Sequence, residues 1–83
     1  MASYLIEAYT PIDRHELAQS VAKITAVARA MSRGGVPVRH VKAILVPGDE
    51  TCFYLVDAPS TAAVEELARN ARFTYTRIVE AVE

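Results

Sequence analysis

The sequence predicts an α+β sandwich: a four-stranded antiparallel sheet with two helices on one face. Three observations predict it. The hydrophobic period switches between two and 3.6 along the chain, in the order β-α-β-β-α-β. Turn residues stand at the switches: Thr10-Pro11, Gly34-Gly35, Pro47-Gly48 and Pro59-Ser60. Finally, 83 residues allow one domain, 1–83, and leave no room for a second.

Ser3–Tyr9 is rich in aromatic and aliphatic residues and stops at Thr10-Pro11, so it reads as a strand. From about Asp13 to Ser32, Leu17, Val21, Ile24, Ala28 and Met31 recur at steps of four and three. That is one stripe of an amphipathic helix. Asp13 with Glu16 has capping-box spacing, and Thr10-Pro11 is an alternative start. Arg33, Gly34 and Gly35 supply the stop, a cation at the negative end of the dipole and then glycines for a left-handed turn. Val38–Val46 is a β-branched strand, Pro47–Glu50 a turn and Thr51–Asp57 the next strand. Ser60 caps a second helix whose Val64, Leu67, Ala68 and Ala71 share a face. Thr74–Val82 is the last strand. Right-handed crossovers place both helices on one side of the sheet, in a ferredoxin-like arrangement.

Composition narrows the function. Nine Lys+Arg against ten Asp+Glu leave a net charge of −1, which argues against nucleic acid or an acidic membrane as partner. Hydrophobic residues make up 52%, but Ala contributes 14 of them, so the core volume is modest. A chain this short buries only about 60–65% of its unfolded surface. The single Cys cannot form an internal disulfide. Association is the remaining source of stability. The opening MASYLIEAYT lacks a basic region and a long apolar run, and no stretch approaches the ~20 apolar residues of a membrane span. A cytoplasmic protein with Cys52 as a free thiol is expected.

Alternation along each strand divides the sheet into two faces. The purely apolar sets, Ile6 and Ala8, Val41, Ala43 and Leu45, Phe53 and Leu55, Ile78 and Val82, suit the side under the helices. The mixed sets then share the open face: Leu5, Glu7, Tyr9, His40, Lys42, Ile44, Cys52, Tyr54, Val56, Arg77, Val79 and Ala81. Such a face is too apolar for a solvated surface. A twofold dimer with its sheets stacked covers it and encloses a space between the copies. There Glu7, Tyr9, His40, Lys42, Cys52, Tyr54 and Arg77 are the candidate ligand-binding residues. This grouping needs even positions of the second strand to pair with even positions of the third. A bulge at Gly48 gives that register. A tight four-residue loop at 47–50 pairs even with odd, sets His40 and Lys42 beside Phe53, and breaks the site apart.

Each candidate has a chemical reason. His40 titrates near neutral pH and is a metal ligand or proton carrier. Glu7 is a carboxylate in an apolar strand, and it needs a partner such as Arg77 or Lys42 if buried. Cys52 is a soft ligand or nucleophile, though only Lys42 or His40 across the sheet would depress its pKa. Tyr9 and Tyr54 offer hydroxyls to orient a ligand. No Gly-rich phosphate loop, G-x-S-x-G, H-E-x-x-H or C-x-x-C motif is present.

The run Glu50-Thr51-Cys52-Phe53, with Leu55 and Ala58-Pro59-Ser60, together with the ends SYLIEAY and TRIVEAVE, resembles a family of small actinobacterial and proteobacterial proteins. One of its groups is described as nickel-binding, and most members are of unknown function. The resemblance spans nearly the whole chain and implies a ferredoxin-like sandwich that dimerises through its sheet. The family's second-strand His is His40 here, whereas its first-strand His pair is replaced by Ala8 and Tyr9. The resemblance implies His40 as a ligand for Ni²⁺ or another transition metal, and Glu7, the carboxylate in the apolar first strand, joins it as the second candidate ligand.

Three function classes follow, of which the plainest is a purely structural or subunit role with the dimer cavity filled by side chains. Another is a homodimeric binding protein holding a small molecule or a transition-metal ion at the open sheet face. The third is a small cofactor-free enzyme of the dimeric α/β-barrel type, an isomerase, cyclase or oxygenase. In it Glu7 or His40 abstracts a proton and Tyr54 or Arg77 stabilises the oxyanion.

Overall fold

The computed structural model describes residues 1–9 and 13–82. Its elements are β1 (Ala2–Ala8), α1 (Arg14–Arg33), β2 (Arg39–Val46), β3 (Thr51–Ala58), α2 (Thr61–Asn70) and β4 (Arg77–Ala81). The sheet order is β2-β3-β1-β4, and every neighbouring pair is antiparallel. This is the expected ferredoxin-like α+β sandwich. No helix among the described residues is long and apolar enough to cross a membrane.

The helix α1 starts where the capping box places it. Asp13 accepts from the Glu16 backbone N–H at 2.8 Å, and Glu16 reaches back to the Asp13 N–H. The alternative start at Thr10-Pro11 lies outside the described residues. Ile24, Ala28 and Met31 of the stripe are buried, and Leu17 and Val21 flank them. At the far end the Val36 N–H donates to the Met31 carbonyl at 2.9 Å and the Gly35 N–H to Ser32 at 3.2 Å. This double closure needs a left-handed residue at Gly35, whose φ is +101°. Ser60 caps α2 through the Ala63 N–H, and Ala63, Val64, Leu67 and Ala68 are buried beneath it.

The core lies between the helices and the face of the sheet formed by the even-numbered residues of β1 and β3 and by Ala43 and Leu45 of β2. Tyr4 and Ile6 of β1 and Tyr54, Val56 and Ala58 of β3 pack against Ile24, Ala28 and Leu67. Here the expected register fails. Pro47–Asp49 forms a short 3₁₀ turn, Glu50 takes a left-handed conformation, and Val46 pairs directly with Thr51. The loop is therefore the tight four-residue one, with no bulge at Gly48. It sets Ile44 opposite Phe53 and Lys42 opposite Leu55. The bulge falls further along, between His40 and Lys42, and returns His40 to pairing with Val56. β4 is shorter than expected. It begins at Arg77, after the Thr76 N–H closes on the Glu7 carbonyl at 2.7 Å.

Candidate functional site

The register divides the seven candidates between the two sides of the sheet. Glu7, Lys42 and Arg77 share the open face with Leu5, Ile44, Phe53, Leu55 and Val79. Cys52, Tyr54 and His40 lie on the helix side, as does Val56. Tyr9 is past the end of β1 and 54% exposed. The expected single cluster therefore does not form within one chain. Phe53 and Leu55, expected under the helices, are on the open face instead. The physical reason is that both alternate sets of β3 are apolar. Loop parity and the bulge at Val41, rather than hydrophobicity, choose between them.

On the open face, Glu7 is 5% exposed although no helix covers it. Arg77, opposite it on β4, lies over it and forms an ion pair from Nε to the Glu7 carboxylate. Such pairing answers the desolvation of a carboxylate set between Phe53 and Leu5. A second pair joins Arg39 to Asp57 at 2.9 Å, and the Ser3 hydroxyl donates to Asp57 at 2.7 Å. The Arg39 hydrogen bond, then that of Ser3, holds the Asp57 carboxyl below the usual carboxylate range. Four of the face's charges are thus neutralised in pairs within the chain.

On the helix side, the His40 Nδ1 lies 3.1 Å from the Thr25 hydroxyl, while its Nε2 is buried without a hydrogen-bond partner. Burial pulls the imidazole below its ordinary value, against a smaller opposing effect of a backbone hydrogen bond at Lys42. Burial therefore favours the neutral imidazole. Its ring lies 6.0 Å from that of Tyr54. Glu7 and His40 sit on opposite faces, so they cannot share an ion or a substrate atom within one chain. No group of three or more His, Cys, Asp or Glu that would hold a metal occurs among the described residues. The donor set therefore does not fit a metal centre built by a single chain.

What the helix side does contain is a cavity of about 200 Å³ at the open end of the β1–β3 pair. Its walls include Cys52 and Tyr54 from β3 and Ser20 and Lys23 from α1. Arg72, Phe73 and the exposed Thr74, just after α2, and Ala8 at the end of β1 complete them. Phe73 packs edge-on against Tyr54 at 4.7 Å. Burial pushes the Tyr54 phenol up, an effect strengthened by Cys52 and weakened by the Ser20 hydroxyl, so it stays protonated and able to donate. Burial also raises the Cys52 thiol, against a smaller lowering by Tyr54, which makes it a poor nucleophile. Of these residues only Cys52 and Tyr54 were legible as candidates. Ser20, Lys23 and Arg72 look in sequence like any solvated helix residues. A shallow groove of about 550 Å³ borders Arg29, Arg33, Arg39 and His40, but Arg39 is already committed to Asp57.

Arg72 has a conformational peculiarity. Its φ is +53°, in the left-handed region. Its N–H donates to the Arg69 carbonyl at 3.1 Å and the Phe73 N–H donates to Ala68 at 2.8 Å. This is the closure seen at Gly35, made with a side chain that disfavours it.

No family model matches the chain, and no curated protein matches it. Among solved structures, SCO4226 from Streptomyces coelicolor A3(2) is similar, with a TM-score of 0.80 and 22% identity over 96% of this chain and 95% of that one. At that identity the likeness shows a shared fold.

Proposed function

We propose that the protein is a homodimeric binding protein for a small organic molecule, held in the cavity between Tyr54 and Arg72. The observation that carries this reading is the cavity itself. Its 200 Å³ is below the ~300–1,000 Å³ typical of drug-sized ligands, so its occupant is small. Buried Cys52 and Tyr54 form its inner wall, and Ser20, Lys23 and Arg72 bring polar groups from the exposed side. Such a mix fixes the orientation of a ligand. The raised Cys52 thiol supports a wall of a binding site over a nucleophile. A free, buried Cys52 also suits the reducing cytoplasm.

The partner is a second copy seated on the open face. Four strands about 4.8 Å apart, paired over about 20 Å, present a face of about 400 Å². A face of this size is comparable to the largest apolar patch of a typical monomer, which is often functional. Its centre is Leu5, Phe53, Leu55 and Val79, and its Glu7–Arg77 and Arg39–Asp57 charges are already paired within the chain. That arrangement lets the face be buried without stranding those charges.

The test has two arms. Thermal-shift screening against a small-molecule library is expected to find ligands whose effect disappears in Thr74→Trp, which fills the cavity from its exposed side. Equal binding by that variant, or no ligand at all, overturns the cavity reading. Sedimentation at micromolar concentration is expected to give a dimer that Leu55→Lys disperses, whereas lone subunits of the wild type overturn the dimer. Calorimetry with Ni²⁺ checks the competing ligand class. Uptake that is lost in His40→Ala would replace the organic molecule with a metal ion.

A further inference from the structure

We infer that the cavity takes a small monoanion with an apolar body, and that Arg72 is held in its left-handed conformation to meet the carboxylate. This rests on the reading of the cavity as a ligand site. Three observations lead to it. Lys23 and Arg72 approach the cavity from two different elements, and neither makes an ion pair among the described residues. Both are exposed, whereas Cys52, Tyr54 and Ala8 behind them are buried. The lining therefore carries its two cations on the exposed side and Ala8, Cys52 and Tyr54 behind them, with the Ser20, Thr74 and Tyr54 hydroxyls as its neutral polar groups. A molecule with one carboxylate and a short apolar body matches that arrangement end to end. A cation on the rim of the cavity recognises a carboxylate by charge-assisted hydrogen bonds, and a neutral amide of the same shape forgoes them.

The third observation concerns the backbone. Gly ordinarily fills the left-handed position after a helix, and it does so at Gly35. The same hydrogen bonds close α2 around Arg72. An unfavourable conformation retained on the wall of a cavity points from the strain to a use for the side chain. Glycine there keeps the turn and removes the whole side chain, guanidinium included, so Arg72→Lys is the variant that restores a charge.

The experiment titrates wild type, Arg72→Gly and Arg72→Lys with benzoate, hexanoate and 4-hydroxybenzoate, each beside its amide, and records the melting temperature of each variant. At least one carboxylate is expected to bind about tenfold or more tighter than its amide, the effect of a charge-assisted contact. Arg72→Gly is expected to lose that preference while melting at or above the wild-type temperature, and Arg72→Lys to regain most of it. Equal binding of acid and amide, or an unchanged preference in Arg72→Gly, overturns the anion assignment and leaves the cavity reading standing. If none of the six probes binds, the anion assignment falls, and the Thr74→Trp screen separately decides the cavity.

Discussion

The two helices end in the same hydrogen-bonded turn and fill it differently. After α1 the left-handed residue is Gly35 and the next is Val36; after α2 they are Arg72 and Phe73. Backbone closure is equivalent, with the outer bond at 2.9 Å in one and 2.8 Å in the other. The α1 end satisfies only the geometry of the turn. The α2 end carries a cation in the unfavourable conformation and an aromatic ring packed edge-on against Tyr54. Local geometry alone would place glycine at both, so the departure at Arg72 marks the end where the side chains have other work.

Substitutions at the matched positions break the comparison in graded steps. The largest effect is expected at the residue after the turn. Phe73→Ala removes a half-buried ring and its contact with Tyr54 and should cost about 2–3 kcal/mol, against about 1 kcal/mol for Val36→Ala, read from urea midpoints. Next comes the left-handed residue itself. Gly35→Arg places a side chain at a φ of +101° and should cost about 1–2 kcal/mol. Arg72→Gly should change stability by less than about 1 kcal/mol, because relief of the turn offsets the added freedom of the unfolded chain. Equal losses from both exchanges would show that Arg72 serves the fold.

The smallest effect concerns His40, which lies near the α1 end of the sheet. Its folded pKa is depressed by burial from 6.5, so the native state resists taking up a proton that the unfolded chain accepts. Stability should be fully present above pH 6.5 and decline as the pH falls through the folded value. His40→Gln should flatten the dependence of melting temperature on pH between 7 and 5. An unaltered slope would mean that other groups carry it.

Elements and their order were legible because they rest on period and punctuation. The α1 stripe, the Asp13–Glu16 box and the Ser60 cap all stand where local chemistry requires them. The faces of β2 and β3 were not legible. Cys52, Tyr54 and Val56 are as apolar as Phe53 and Leu55, so alternation identified two sets without saying which was inside. The choice came from the left-handed Glu50, which permits the four-residue loop, and from the bulge at Val41, which separates His40 from Lys42 although they are two residues apart. The Glu7–Arg77 pair was legible, since a buried carboxylate demands a cation and β1 adjoins β4. The cavity was not, because Lys23 and Arg72, distant in sequence, line one cavity only once the chain has folded. The one local sign was a helix end, Asn70-Ala71-Arg72-Phe73, with no glycine to close it.

In the proposed function, ligand enters on the helix side of the sheet and not on the open face. Methyl-resolved NMR with benzoate tests it most directly, because Ala8 points into the cavity side while Leu5, Leu55 and Val79 line the other face. Selective shifts of the Ala8 methyl and of the Lys23 and Arg72 side-chain signals are predicted. Shifts of the Leu5, Leu55 and Val79 methyls with Ala8 unmoved would place the ligand on the open face instead.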